Sequence, residues 1–317
     1  MSNKRAYTKP WLTLAKQVDR LVGYGLVVND REAAKQFLRH VNYYRFSGYC
    51  LAFETSRHQF RPGTSFQDIQ TTCEFDSNLR RLISEALEVV EIDLRTTVAF
   101  MFGKTYDAYG HLSPSNFNPQ FDQNVTHAEW LSKLQSETKR SRERFVKHFR
   151  QTSIDFPNIP IWALTELMTF GSLARMIQGM YKRDRQRIAK QYNVSAGVLA
   201  TTTHHFSFVR NLCAHHCRLW DQVHSIKPEL PKEPAWRKPA IASNDRLFTT
   251  LLLIRKMLDR DSDTRTYSDQ WRDEVGQLLL ALPNVPDPRK HLGLPSNWQS
   301  HPVWKTQPRL KTESLKT

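Results

Sequence analysis

The densest run of reactive side chains in the chain is Arg210–Asp221, RNLCAHHCRLWD, with His204 and His205 just upstream. Three chemistries compete for it. Cys213, Cys217, His204 and either His215 or His216 are ligand types that zinc accepts. The two cysteines lack paired CxxC knuckles, however, and cysteines buried on a helix explain them equally well. The second chemistry is metal-free RNA cleavage. An imidazole can take the proton of a ribose 2′-hydroxyl or protonate the leaving 5′-oxygen. A guanidinium can grip the scissile phosphate and stabilise the charge that builds on it. His215 and Arg210 fill those roles, and Asn211, four residues before His215, lies on the same helical face to orient the ring. In the third reading Arg210 pairs with a carboxylate such as Glu91 or Glu166 and the histidines pack at a helix end. Arg-x4-His is a weak pattern, and on composition alone this structural reading stands first. Geometry adds a condition to the second: residues five apart on an ideal helix point about 140° away from each other. Arg210 and His215 therefore converge only if the helix bends or ends there, if the arginine reaches round, or if two chains share the site.

The charge balance narrows the partner. Of 317 residues, 46 are Lys or Arg and 31 Asp or Glu, a formal net charge of +15. The surplus is clustered: residues 133–150 hold seven Lys/Arg against two Glu, and residues 175–190 hold six against one Asp. Basic surface of this kind attracts phosphate and releases counterions on binding. Lys139, Arg140, Arg142, Arg144 and Lys147 are the candidate RNA-binding residues of the first cluster. No window approaches 18 consecutive apolar residues, which excludes a transmembrane helix, and the first 15 residues lack the apolar core of a secretory signal. Four scattered cysteines, Cys50, Cys73, Cys213 and Cys217, make no disulfide framework. A reducing cytoplasm is the expected setting, with no membrane partner. There is no Gly-rich phosphate loop, no GxSxG elbow and no internal repeat.

The elements that must position these residues read as nearly all helix. Trp11, Leu14, Val18, Leu21 and Val22 recur at helical spacing until Gly23 and Gly25. Asp30 caps a second helix, and a further helix begins in the aromatic run Asn42–Tyr49. After the turn Arg61-Pro62-Gly63-Thr64, the longest helix is expected from Ser65 to about Gly103, with an apolar stripe from Phe75 through Leu94 to Val98. Residues 104–125 read as a loop. Thr126-His127-Ala128-Glu129 is a capping box that opens a basic helix to about Arg150. Apolar helices follow Pro157 and Pro160, and Ser195 caps the helix that leads into Arg210. The proline-rich stretch from Lys227 to Pro239 reads as a linker, with two short helices at about 244–260 and 267–282 behind it.

Five segments in order carry a family resemblance: VNYYRFSGYCLAF (41–53), FRPGTSFQDI (60–69), FDSNLRRLISEALEVVEIDLRTTVA (75–99), PIWALTELMTFGSLARM (160–176) and VRNLCAHHCRLWD (209–221). Together they resemble the Abi (abortive infection) proteins of the AbiD/AbiF type, phage-defence proteins built on the HEPN fold. The resemblance implies an all-α, HEPN-type helical bundle with N-terminal and C-terminal helical extensions. The expected division is an N-terminal helical region at 1–60, the HEPN-type domain at 61–225, linker and short helices at 226–282, and a mobile basic tail at 283–317. It further implies a metal-independent endoribonuclease or toxin with no cofactor, marked by Arg-x4–6-His, often with Asn after the Arg; Arg210, Asn211 and His215 fit. HEPN nucleases commonly dimerise so that two motifs share one cleft, and some AbiF-type members are restrained by a small structured RNA. The alternative is a non-catalytic RNA-binding or RNA-sensing module that uses the same basic surface.

The supporting residues are weighed on the same terms. Glu91 and Arg95, four apart, suit a local ion pair; with the resemblance, Glu91 orients Arg210 and Arg95 lines the cleft. Glu166, alone on an otherwise apolar helix, is either a helix-end carboxylate or, the favoured reading, the buried partner of an arginine. His216 stands behind His215 as a second candidate, and Arg218 is a phosphate contact or an ion-pair member. Tyr43, Tyr44 and Tyr49 are expected in the core.

Overall fold

The computed structural model describes residues 6, 8, 10–121, 124–260 and 262–305, with side chains from 265 onward in the last segment. It is all-α apart from one small hairpin. The helices in order are α1 (Leu14–Gly23), α2 (Arg31–His40), α3 (Tyr43–Cys50), α4 (Phe66–Tyr106), α5 (His127–Arg140), α6 (Arg144–Thr152), α7 (Ile161–Leu167), α8 (Phe170–Gly179), α9 (Lys182–Lys190), α10 (Ala196–Ala214), α11 (Leu247–Leu258), α12 (Ser262–Leu280) and α13 (Pro288–Leu292). The strands β1 (Glu54–Ser56) and β2 (Gln59–Phe60) pair antiparallel. No helix among the described residues is long and apolar enough to cross a membrane.

The chain forms two compact units, residues 1–78 with 278–288, and residues 79–277 with 289–317. In the first, Phe46 stacks on Phe66 at 4.7 Å, and Phe37 meets both rings edge-on. Of the three tyrosines expected in this core only Tyr49 is fully buried, donating its hydroxyl proton to Asp76 at 2.6 Å. Tyr44 is 87% exposed. The reason is its place in the first turn of α3, where Asn42 caps its N–H at 2.7 Å and turns the side chain away from Phe46 and Tyr49.

The second unit is organised on α4. Ser65 opens this helix, accepting from the Asp68 N–H while its own N–H and hydroxyl donate to the Asp68 carboxylate. At about 1.5 Å per residue the 41 residues run about 60 Å. Leu79, Ile83, Ala86, Leu87, Leu94 and Val98 are completely buried along one stripe, and the Trp271 indole of α12 ties to the Leu82 carbonyl at 2.8 Å. The apolar α8 and α10 pack directly on each other.

Several expectations need correcting. The basic helix expected to run to Arg150 is two helices, because Ser141 turns extended (φ −63°, ψ 139°) and its hydroxyl accepts the Glu143 N–H. Arg150 then folds α6 back, donating to the Lys139 and Ser141 carbonyls at 2.8 and 3.2 Å, where a cation suits the helix terminus. The proline-rich linker is a packed connection: Trp236 is buried at its centre, and His224 just before it. The expected mobile tail is packed as far as 305, since Leu292, Trp298 and Trp304 have apolar surface to bury, and Trp304 meets Phe248, Trp271 and Trp298. The rest of that tail, 306–317, lies outside the described residues.

Two histidines are locked in this core. Nδ1–H of His205 donates to the Ile226 carbonyl (2.6 Å), so its Nε2 accepts from the Thr250 hydroxyl (2.9 Å). His224 sits 3.4 Å from the same hydroxyl. Burial pushes His205 down to about 3 and His224 down to about 4.

Candidate functional site

The position of the Arg210–Asp221 motif follows from where α10 stops. Ala214 is the last helical residue and His215 is the cap (φ −88°, ψ 11°). His216 then turns left-handed at φ 54°. The Cys217 N–H donates to the Leu212 carbonyl (2.8 Å) and the His216 N–H to that of Cys213 (3.0 Å). These are the paired bonds of a Schellman stop, in which the left-handed position normally carries glycine. Histidine is among the few other residues enriched there. Arg210 thus sits in the last turn and His215 at its cap. The His215 N–H still donates to the Asn211 carbonyl (2.9 Å) and its φ of −88° stays near helical, so the two side chains still diverge by about 140°.

Arg210 turns towards α4. Its Nε lies 3.6 Å from Glu91 Oε2, while the other oxygen, Oε1, accepts from Arg95 Nη2 at 2.5 Å. Glu91 is 6% exposed and holds two guanidiniums at once. Arg95 also donates to two main-chain carbonyls at the end of α7, Met168 at 2.7 Å and Glu166 at 3.3 Å. Those carbonyls are free to accept because α7 ends at Leu167. The result is a cleft of about 500 Å³ walled by Glu88, Glu91, Ile92, Arg95, Arg210 and Ala214. It presents two guanidiniums and two carboxylates, of which Glu91 is already engaged by both arginines; guanidiniums are groups that bind oxyanions.

Other candidates fall in different places. Glu166 is exposed, so the favoured reading of a buried carboxylate partner fails and it stands as a carboxylate at the end of α7; Arg95 meets only its carbonyl. Asn211 does not hold the His215 ring. Its Oδ1 accepts from Arg210 Nη1 at 3.4 Å, and only its carbonyl meets His215, accepting the backbone N–H at 2.9 Å. His215 and His216 are both exposed, and His215 is not among the cleft-lining residues. Arg218 is half-buried. Lys139, Arg140, Arg142, Arg144 and Lys147 are all exposed around the α5–α6 turn. The zinc donor set does not assemble: Cys213 is buried within α10 and Cys217 exposed beyond it. No group of three His, Cys, Asp or Glu among the described residues is placed to hold a metal.

Residues 36–221, more than half of the chain, match the family described as Abi-like protein. The chain belongs to the Abi-like protein family. No curated protein and no solved structure matches it. The matched region contains the whole cleft, from Ser84 to Ala214, and ends at Asp221, the last residue of the motif segment. In this Abi-like protein the turn after α10 is then held from both sides. Arg80, buried on α4, donates to the Cys217 carbonyl at 3.4 Å. From beyond the matched region, Arg246 and His291 reach the Asp221 carboxylate at 3.2 and 3.1 Å, and the His291 ring stacks on Trp220 at 5.1 Å. Sequence reasoning did not find Arg80, Arg246 or His291. Each is a lone polar residue far from the motif, and no local spacing links them to it.

Proposed function

We propose that this Abi-like protein is a metal-independent endoribonuclease of the HEPN, AbiD/AbiF type that acts in phage defence or growth arrest. The observation that carries the reading is the Arg210–Glu91–Arg95 cleft at the end of α10, with His215 exposed at the helix cap beside it. The cleft offers guanidinium N–H groups to a phosphodiester, and Glu91 and Asn211 fix the direction in which Arg210 points. In the reaction the ribose 2′-oxygen attacks the adjacent phosphorus while a base removes its proton. The P–O5′ bond breaks, and an acid returns a proton to O5′. The products are a 2′,3′-cyclic phosphate and a 5′-hydroxyl. His215 serves as the acid or base, and Arg210 stabilises the charge on the phosphoryl oxygens.

Because His215 does not line the cleft of its own chain, the working site is assigned to a homodimer in which a second copy brings its motif to the same phosphate. The basic α5–α6 turn is the surface for longer RNA, including a small structured RNA that restrains the enzyme. The test incubates wild type, Arg210→Ala and His215→Ala with mixed cellular RNA in excess EDTA and maps the cut ends. Cyclic-phosphate ends made by wild type and lost in both variants support the reading. If a mixture of the two inactive variants regains part of the activity, the site is shared. The competing reading, a non-catalytic RNA-binding module, draws on the engagement of Arg210 with Glu91. It predicts intact RNA bound equally by all three proteins.

A further inference from the structure

Cleavage by a 2′-oxygen takes one proton from the 2′-hydroxyl and returns one to O5′. His215 fills one of these roles, and the cleft holds a group suited to the other. Ser84, Glu88, Glu91 and Arg95 line it from α4, and their spacing of four, three and four residues keeps them on one face of the helix. Glu91 is committed to Arg95 and Arg210. Glu88 is exposed, and among the described residues its carboxylate has no ion-pair or hydrogen-bond partner. Glu85, one turn earlier, is no substitute: Arg81 holds it at 2.8 Å and it does not line the cleft.

The direction of α10 places Glu88 relative to the motif. Arg210 meets Glu91, and seven residues later the Cys217 carbonyl meets Arg80, so the motif runs antiparallel to α4. Ala214, at the end of α10, lines the same cleft. Along α4 from the guanidiniums towards the His215 cap, the next charged side chain in the cleft is Glu88, about 4.5 Å of helix rise beyond Glu91. That is a step of one sugar from a phosphate held by the two arginines. The Tyr267 phenol of α12 is no competing base. Burial first, then Glu85, Glu274 and Glu88, hold its pKa above the ordinary value, so it stays protonated at neutral pH.

We propose that Glu88 is the general base of the reaction, acting in the cleft of its own chain, with His215 as the acid. The Glu88 carboxylate takes the proton of the 2′-hydroxyl, and the 2′-oxygen forms its bond to phosphorus as P–O5′ breaks. The His215 imidazolium gives its proton to O5′, and both groups then return to their starting forms by exchange with water. Arg95 and Arg210 neutralise the phosphate, which offsets its repulsion of a carboxylate nearby. Anion binding alone does not favour an unpaired carboxylate in this cleft; proton transfer gives it a purpose. With the base in place on α4, a second copy of the chain has only the acid to contribute. The inference rests on the ribonuclease reading of the cleft.

The test follows single-turnover cleavage by the full-length protein, in excess EDTA, of a labelled RNA that spans a wild-type cut. Glu88→Gln lowers the rate about 10²–10⁴-fold without weakening RNA binding, and Glu88→Asp recovers part of the loss. Formate added to Glu88→Ala restores some of the rate, which a structural role for the side chain does not predict. The wild-type rate rises with pH as Glu88 ionises and falls as His215 loses its proton, and the rising limb is absent in Glu88→Gln. The charged and titratable groups around Glu88 are Glu85, Glu91 and Arg95 of α4, Arg210 of α10 and Tyr267 of α12. They stay in place in that variant, so loss of the limb belongs to Glu88. A Glu88→Gln rate within about threefold of wild type, with the limb intact, overturns the assignment and keeps the ribonuclease reading. So does a fall in rate matched by an equal fall in RNA affinity. RNA left intact by wild type overturns the ribonuclease reading, and the base with it.

Discussion

Glu91→Gln tests the cleft more sharply than any change to the arginines themselves. The substitution keeps the shape of the side chain and one carbonyl acceptor, and removes the charge that two guanidiniums share. A charge-assisted hydrogen bond sheltered from water contributes about 1.5–3 kcal/mol. The Arg95 contact qualifies, with the guanidinium side chain 18% and the carboxylate 8% exposed. The Arg210 contact is longer, at 3.6 Å, and its arginine is 38% exposed, so screening limits it to about 0.5 kcal/mol. Glutamine retains part of the first contact, which leaves an expected loss of about 2 kcal/mol, or about 3 °C in Tm for a chain of this length. Thermal and urea unfolding at neutral pH measure that loss. In the RNA assay Glu91→Gln loses most of its cleavage although it is not assigned a contact with RNA, because Arg210 is no longer aimed. Arg210→Met supplies the contrast: it should cost less than about 1 kcal/mol of stability while cleavage disappears. If Arg210→Met destabilises as much as Glu91→Gln, the arginine is a structural counter-ion. The assignment of the cleft as a phosphate receptor then fails.

Three further outcomes follow from the geometry. Because His205 and His224 are held neutral, the unfolded chain binds more protons than the folded one between the unfolded histidine pKa near 6.5 and their folded values of about 3 and 4. Stability is therefore complete above about pH 6.5 and falls as the pH drops, by about 2 kcal/mol per histidine at about pH 5; denaturant titrations at several pH values check this, and double replacement by Gln should flatten the curve. His216→Gly should unfold at higher denaturant by about 1 kcal/mol, and His216→Val should lose about 1–2 kcal/mol, because the left-handed backbone at φ 54° penalises a β-branched side chain. Gly179→Ala places a Cβ 2.3 Å from the ring of Phe121, itself 5% exposed. It should cost about 1–3 kcal/mol by the same unfolding measurement.

The helices were legible wherever a periodic stripe and a cap agreed. For α4, the stripe from Phe75 to Val98 and the start expected at Ser65 after the Pro62-Gly63 turn place the helix within three residues of its observed ends, Phe66 and Tyr106. Thr126 and Ser195 likewise mark the starts of α5 and α10. The readings failed where composition stood in for packing. Prolines around Trp236 suggested a free linker, and basic residues after 283 suggested a mobile tail. Proline sets the backbone direction without preventing burial, and four tryptophans or leucines in these stretches had surface to hide: Trp236, Leu292, Trp298 and Trp304. The break at Ser141 was invisible for another reason. Nothing in the helical period changes there, and the turn is stabilised by Arg150, nine residues downstream.

At the site, the spacing Glu91-x3-Arg95 suggested a helical ion pair, and a helical ion pair is present; what spacing does not reveal is that the same carboxylate has a second oxygen facing α10. That second contact is a consequence of packing between elements more than a hundred residues apart in sequence. The poor convergence of Arg210 and His215 on an ideal helix persists in the structure, because α10 keeps its helical path up to the His215 cap. A glycine at 216 would have announced the stop. The left-handed histidine that stands there hides it, because His is a tolerated but uncommon occupant of that position. The stop after Ala214 leaves His215 outside the cleft of the same chain. On the proposed ribonuclease reading, with Arg210 on the phosphate and His215 moving the proton, either a rearranged cap or a second copy must bring the two together. The Schellman bonds at 2.8 and 3.0 Å and the Arg80 anchor at 3.4 Å oppose rearrangement of the cap, and this favours the second copy.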